Sequence, residues 1–515
     1  MKRFLDLRLI LVVLILGSLL LQNQLQTSMP SLEQHWNRTK ITASDVQSLL
    51  TQDECHANSR AEIACLMVVG KLASALPEFR LRLSNTELSN SFVQKLNQVA
   101  VFLGNEKQLF EKIYDLSIDL KKVNFEKIQK IVPWTQLQEM KFGKAFLAQV
   151  MNVFYSITID PHTSVLPISY FSEVMNQAEV QQTGFGFNYI LSDGKLIITQ
   201  VRFQIQNQGQ VIQRGDEITH LNGRRVNQYS VLELQELLKA QAHLILTVRQ
   251  KDYSVDRISY TAKNISSSWL SEKSKVAVIR IHKFTQGICE KVSTSVKQYQ
   301  KQGMRGLILD MRDNPGGPLD QAICVTGLFV PLQTHVLSTV DLQSGEETIL
   351  KTDKASIYDG PLAVVINSQS ASSAEIVAGS LQDLGRAKVV GESSFGKGTF
   401  QEGIALDRNG NVALFKTRGF YTFPSGYSPQ LTGVIPDRSI ASTVSLPREK
   451  DLYLFPLVLP EARRKIQVSR ILARTQQRSG DITSCPEVEE DFSLDRVSQE
   501  ALQVLTCQPL AQVGL

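Results

Sequence analysis

Three short apolar runs set the tightest limit on what this chain can fold into. Val276 to Ile281 reads as a strand, and Gly306 to Asp310 and Leu362 to Ile366 read as buried strands. Between and after them, Ile288, Val292 and Val296 recur on one face of a helix, and Val377, Leu381 and Leu384 on one face of another. Strands alternating with helices in this way, from about residue 270 to 437, make a layered α/β domain. Further strands follow around an Asn409-Gly410 hairpin turn.

The segments before this core have different periods. Residues 31 to about 175 are rich in helix formers, with Phe146, Val150 and Phe154 at helical spacing, and end at Ile159-Asp160-Pro161-His162-Thr163, where the proline stops the helix. From about 180 to 250 the pattern is of short strands. Gly184-Phe185-Gly186-Phe187 leads into a strand, a Ser192-Asp193-Gly194 turn follows, and Leu196 to Val201 is the next strand. Arg214-Gly215-Asp216-Glu217-Ile218, Asn222-Gly223, a helical stretch from Ser230 to Leu238 and a strand from Leu244 to Val248 complete it. This order resembles a PDZ domain. Gly184, Phe185, Gly186 and Phe187 then match the loop whose backbone N–H groups hold a peptide's terminal carboxylate while the peptide adds as a strand. The tail from about 440 to 515 is polar and helical in pattern.

At the N-terminus Lys2, Arg3 and Arg8 precede an apolar run from Leu9 to Leu21, the layout of an export signal. The run is shorter than the roughly 18 to 20 residues of a spanning helix, so a cleaved signal and a short uncleaved anchor both stand. Six cysteines suit an exported protein: Cys55 with Cys65 and Cys485 with Cys507 are spaced for local disulfides, while Cys289 and Cys324 read as core residues. Asn37-Arg38-Thr39 and Asn264-Ile265-Ser266 match the glycosylation pattern, which often arises by chance. With 55 basic against 50 acidic residues spread along the chain, there is no electrostatic case for a nucleic-acid partner. No spacing of cysteine or histidine suggests a metal site, and no cofactor is expected.

The chemistry concentrates between Asn367 and Gln401. A buried strand runs into Ser370-Ala371-Ser372-Ser373-Ala374-Glu375 and then an apolar-periodic helix, which puts Ser372 at a strand-to-helix junction, at the positive end of the helix. Twenty-five positions on lies Phe395-Gly396-Lys397-Gly398-Thr399-Phe400-Gln401. No Gly-x-Ser-x-Gly elbow surrounds Ser372, and none of the seven histidines sits in a triad motif.

Together these pieces resemble the C-terminal processing (tail-specific) peptidases, a serine-lysine family with a PDZ domain before the catalytic core. The motifs stand in family order: Asp160-Pro161-His162-Thr163, the PDZ-like segment, Leu309-Asp310-Met311-Arg312-Asp313-Asn314-Pro315-Gly316-Gly317, the Ser372 and Lys397 stretches, and Gly433-Val434-Ile435-Pro436-Asp437. The resemblance implies Ser372 as nucleophile, with Ser373 a weaker competitor, Lys397 as general base and Gln401 as the residue orienting its amine. Backbone N–H groups of Ser373 and of Gly316 or Gly317 are the expected oxyanion donors. Asp383 matches an acid of the family motif and is read chiefly as structural support; His162 is read as structural, and Glu375 as stabilising the first turn of its helix. An amine is a base only when neutral, so Lys397 must be buried. Moving it from about 10.4 towards about 7 takes roughly 3 units, or about 4 kcal/mol.

The expected architecture is α+β and multidomain. It comprises a signal peptide or short anchor (1–30), a helical N-terminal region (31–175), a PDZ-like β-rich domain (176–255), a layered α/β, ClpP/crotonase-like catalytic core (256–440) and a helical C-terminal tail (441–515). The expected function is a serine endopeptidase, exported to the periplasm or cell envelope and membrane-anchored if the leader is kept. It would bind protein or peptide substrates through their C-termini, with an adaptor protein and gating by the PDZ domain compatible with the family; the oligomeric state is not readable. A non-catalytic PDZ-containing binding protein on the same fold is the main alternative. A Ser-x-x-Lys amidase or penicillin-recognising enzyme fits poorly, because its serine and lysine lie one helical turn apart.

Overall fold

In the computed structural model, residues 39–76, 124–139, 143–170, 180–192, 195–201, 205–207, 209–229, 234, 237–238, 240–406, 411–440, 446–452, 456–461, 463–464 and 495–507 are described. The apolar leader, the Asn37 sequon, the Asn409-Gly410 turn, most of the Ser230 to Leu238 stretch and Cys485 lie outside them. Among the described residues no helix is long and apolar enough to cross a membrane.

The N-terminal region holds two long helices, α1 (Ser59–Ala75) and α2 (Gly143–Thr158), followed by strand β1 (Ser164–Pro167). Asn58 caps α1 by accepting from the amides of Arg60 and Ala61. The apolar faces of both helices share one cluster with Val412, Ala413 and Phe415, which belong to a sheet of the core.

The PDZ-like segment contains β2 (Val180–Gly184), β3 (Phe187–Ser192), β4 (Lys195–Val201), β5 (Glu217–Leu221), β6 (His243–Val248), β7 (Lys251–Asp256) and β8 (Ile258–Ala262). Its main sheet runs β7-β6-β5-β4-β3, which leaves β3 at an edge, while β8 returns to pair with β2. The burial of β6 alternates from Leu244 to Val248, as expected of a sheet with one wet face.

The core is built on β9 (Ile265–Ser271), β10 (Val276–Ile281), β11 (Gly306–Asp310), β14 (Leu362–Ile366), β15 (Lys388–Gly391) and β18 (Arg438–Ser439), hydrogen-bonded in that order. All but the β9–β10 pair are parallel. Helices α3 (Ile288–Lys301), α4 (Leu319–Gly327) and α5 (Ser373–Asp383) cover one face. A parallel sheet needs both faces covered, and the second cover is α6 (Arg496–Cys507) of the C-terminal tail. Leu362, Val364 and Ile366 of β14 point to the first layer, whereas Ala363 and Val365 pack with Ala501, Leu502, Val504 and Leu505 of α6. An antiparallel sheet beside it runs β1, β17 (Val412–Thr422), β12 (His335–Asp341) and β13 (Glu347–Lys351), with β16 (Thr399–Ala405) also on β17.

The cysteine reading needs one correction. Cys55 and Cys65 are bonded, in line with their spacing, with a Cα–Cα distance of 5.7 Å, but Cys289 and Cys324 are not simply core residues: they form a disulfide that joins α3 to α4 across a Cα–Cα distance of 5.9 Å. Periodicity places a cysteine on a buried face but says nothing of which helix it meets there. A crosslink closing 35 residues is worth about 4 kcal/mol by chain entropy. Replacing Cys289 and Cys324 together by alanine should lower the unfolding free energy by about that amount. A urea midpoint unchanged from the parent protein would contradict it.

Candidate active site

Ser372 lies six residues beyond the C-terminal end of β14 and is the N-cap of α5. Its backbone sits at φ 55 and ψ −114, a region that side chains other than glycine rarely enter. This is a sharp strand-to-helix turn, reached here with serine and alanine neighbours where a Gly-x-Ser-x-Gly elbow has glycines. The side chain is fully buried, and its Oγ has no hydrogen-bond partner.

Lys397 is 2% exposed and its Nζ donates to Gln401 Oε1 at 3.1 Å. The orientation of that glutamine follows from its neighbours. Thr417 Oγ1 gives its proton to Asp160 Oδ1 at 2.8 Å, so towards Gln401 it can only accept, and Gln401 Nε2 faces it at 3.3 Å. The carbonyl end of Gln401 is thereby left to face the lysine. The residue after the lysine is held to glycine, because a Cβ at Gly398 would lie 2.6 Å from Gln430 N and Ser428 Oγ.

The sequence reading assigned Glu375 only to its own helix turn, and the structure gives it much more. Its buried carboxylate accepts from the amides of Ser372 (2.7 Å), Gly396 (2.7 Å) and Lys397 (2.9 Å), and from Ser394 Oγ (2.6 Å). Tyr421, which no sequence signal singled out, acts on the opposite side: its hydroxyl donates to Lys397 O at 2.7 Å, with Ser372 O at 3.4 Å. Serine and lysine, distant in sequence, are therefore joined through both their amides and their carbonyls. Ser372 Oγ and Lys397 Nζ are not themselves hydrogen-bonded.

Burial sets the protonation of these groups. It lowers Lys397 to about 8, against the opposing pull of the Glu449, Asp160 and Glu375 carboxylates. It pushes Glu375 up to about 7, although all four donors favour the anion.

The remaining expected residues divide. Gly316 donates its amide to Asn314 Oδ1 at 2.8 Å, so it is not free for another acceptor. Gly317 has φ 151, and a Cβ there would lie 2.1 Å from Phe284 O, which restricts the position to glycine. Ser373 Oγ donates to Gly317 O at 2.7 Å, tying that loop to the start of α5. Asp383 stands at the far end of α5 and accepts from the Ser425 amide. His162 is buried, with Nε2 2.6 Å from Glu449 Oε1. Gly184, Phe185, Gly186 and Phe187 form the β2–β3 connection, with both phenylalanines in the core of the PDZ-like segment. From the same segment Arg214 reaches Ser368 Oγ at 3.0 Å, Asp313 at 3.4 Å and Glu392 at 3.8 Å, beside the loops that carry Gly317 and Ser372. Among the described residues no group of three or more His, Cys, Asp or Glu is placed to hold a metal ion.

Glu375→Ala leaves four buried donors without their acceptor. At roughly 1 kcal/mol or more for each, the loss of stability should be at least about 4 kcal/mol. Thermal melting checks this, and a variant as stable as the parent protein would contradict the bridging role.

Comparison with known proteins places this arrangement. Residues 275–440 match the model of peptidase family S41. The carboxy-terminal-processing protease of Bartonella bacilliformis is 28% identical over 291 residues, covering 55% of this chain and 66% of that protein. The carboxy-terminal processing protease CtpA of Bacillus subtilis is 26% identical over 266 residues (49% and 56%), and the carboxyl-terminal-processing protease of Synechocystis sp. 36% over 165 residues (32% and 38%). The matched region thus spans less than two thirds of each of these relatives. Among solved structures, a photosystem II D1 C-terminal processing protease aligns with a TM-score of 0.42 and 20% identity, over 68% of this chain and 93% of that one. Residues 275–440 are thus similar to peptidase family S41, and the relatives that match this chain carry the names of carboxy-terminal processing proteases.

Proposed function

We propose that the protein is an exported serine endopeptidase that recognises the C-terminal tails of its substrates. The observation that carries this reading is the buried, unprotonated-prone amine of Lys397, aimed by Gln401 and fastened through Glu375 to the strained turn of Ser372. In the mechanism, Ser372 Oγ attacks the scissile carbonyl as its proton passes to Lys397 Nζ, giving a tetrahedral intermediate and then an acyl-enzyme. Lys397 returns the proton to the departing amine, and water later releases the acyl group by the same route.

Because Gly316 is committed to Asn314, the amides of Gly317 and Ser373 are the preferred oxyanion donors. We take residues 256–440 as the catalytic core, of ClpP/crotonase-like layering, flanked by the helical region 31–175 and the tail 441–515. Residues 176–255 are taken as the PDZ domain, where a substrate tail adds along the edge strand β3 with its carboxylate on the loop from Gly184 to Phe187. The leader at 1–30 supports export to the periplasm or envelope, and Arg214 offers a route by which a bound tail, or an adaptor, affects the core. Neither metal nor cofactor takes part in these steps. The strain at Ser372 favours an enzyme over a non-catalytic binder, which has no use for it.

Two measurements test the reading on an unfolded protein with an apolar C-terminus. Ser372→Ala and Lys397→Ala should each lower kcat/KM by at least about 10³-fold; cleavage equal to that of the parent protein would sink the mechanism. Since only the neutral amine is a base, kcat/KM should rise with pH through an apparent pKa near 8. A profile already level at pH 6 would show that Lys397 is not the base.

A further inference from the structure

Beside Lys397 lies a buried pair that has no part in the steps above. His162 comes from the loop after α2, and Glu449 from the segment 446–452, so both lie outside the family match at 275–440. Glu449 is fully buried, with Oε1 2.6 Å from His162 Nε2 and 3.3 Å from Gln430 Nε2. Its second oxygen, Oε2, has no hydrogen-bond partner. Two contacts tie this carboxylate to the lysine's own loop: the Glu449 amide donates to Phe395 O at 3.0 Å, and Gln430 Oε1 takes the Gly398 amide at 2.7 Å.

An unpartnered oxygen on a buried carboxylate is costly unless a donor reaches it during the working cycle. Lys397 has the complementary deficit. Its amine has Gln401 as hydrogen-bond acceptor, yet once protonated it carries three N–H donors and a full charge. The two groups do not form an ion pair in the resting arrangement, but Glu449 is the largest of the charges that favour the ammonium. Resting on the serine-lysine reading, we propose that Glu449 is a positioning residue that stabilises the ammonium formed when Lys397 takes the Ser372 proton, and that His162 holds its carboxylate in place. The proton balance is that of the acylation step: it leaves Ser372 Oγ as the carbon–oxygen bond forms, resides on Nζ opposite Glu449, and departs with the amine.

Among the described residues, the charged and titratable groups around Lys397 and this carboxylate are His162 and Asp160 from the loop after α2, Glu375 of α5, Tyr421 of β17 and the adjacent Arg448. Arg448 Nη1 instead faces the carbonyls of Ser394 and Thr432, both at 3.4 Å. Removing the negative charge of Glu449 makes the ammonium harder to form. The acid limb of kcat/KM then moves down and the plateau falls, because the base is weaker.

The test compares pH profiles of kcat/KM for the full chain and Glu449→Gln on the unfolded protein substrate. The acid limb should lie about one unit lower in the variant, with a plateau about ten-fold lower. A limb that stays in place, whatever the plateau does, overturns the proposal, because a purely structural residue changes the amplitude alone. Where Glu449→Gln does not fold or leaves no measurable rate, His162→Asn carries the test. With the imidazole gone the carboxylate loses the contact that holds it, so the limb should move down as in Glu449→Gln, and an unmoved or raised limb overturns the proposal. Activity that survives Ser372→Ala would instead remove the serine-lysine reading itself, so the two failures are told apart.

Discussion

The carboxylate of Glu375 is the contact on which the rest of the site depends. One side chain takes the amides of Ser372, Gly396 and Lys397 and the hydroxyl of Ser394. A positive-φ turn and a glycine-flanked loop are both poor at satisfying their own amides, and neither is exposed to water. A single buried acceptor answers the needs of both. It also fixes the separation of the two backbones, so the relative placement of serine and lysine does not rely on a direct bond between them. Tyr421, bonded to Lys397 O, closes the same junction from the carbonyl side.

Burial is the second constraint, and it comes from parts of the chain remote from the site in sequence. The loop after α2 brings Asp160, whose hold on Thr417 decides which end of Gln401 meets the lysine. The segment 446–452 brings Glu449. Further along the tail, α6 covers the outer face of the parallel sheet, without which Ile308, Ala363 and Val365 would be exposed. The flanking regions thus have two effects on Lys397. They remove water from it, which disfavours its charge, and they supply carboxylates that favour it. The balance leaves an amine that can change protonation near neutral pH.

Among the described residues, Arg214 couples the PDZ-like segment to this centre. Arg214 spans Ser368, Asp313 and Glu392, and so touches both the loop leading into Ser372 and the turn preceding Asn314. Asp313 holds a left-handed backbone there and exchanges hydrogen bonds with Asn367. A displacement of the segment would therefore be felt first by the serine turn and the Gly316-Gly317 loop, and only indirectly by the lysine.

Periodicity alone determined the alternation of strands and helices in the core and the helical start of the chain, because each needs only local spacing of apolar residues. Small residues between β14 and α5 placed a serine at a strand-to-helix junction, and it was the resemblance to the C-terminal processing peptidases that singled out Ser372, Lys397 and Gln401. The sequence could not reveal that Glu375 serves two loops at once, that Cys289 meets Cys324, or that Gly316 gives its amide to Asn314. Nor did it give any sign of Tyr421, Gln430 or Glu449. Each of these depends on which distant segment packs against which, and such contacts leave no periodic trace along the chain. What the tertiary structure alone decided is therefore the environment of Lys397: how dry it is, and which carboxylates surround it. A lysine is an ordinary surface cation in sequence, and only its surroundings set whether its amine can be neutral.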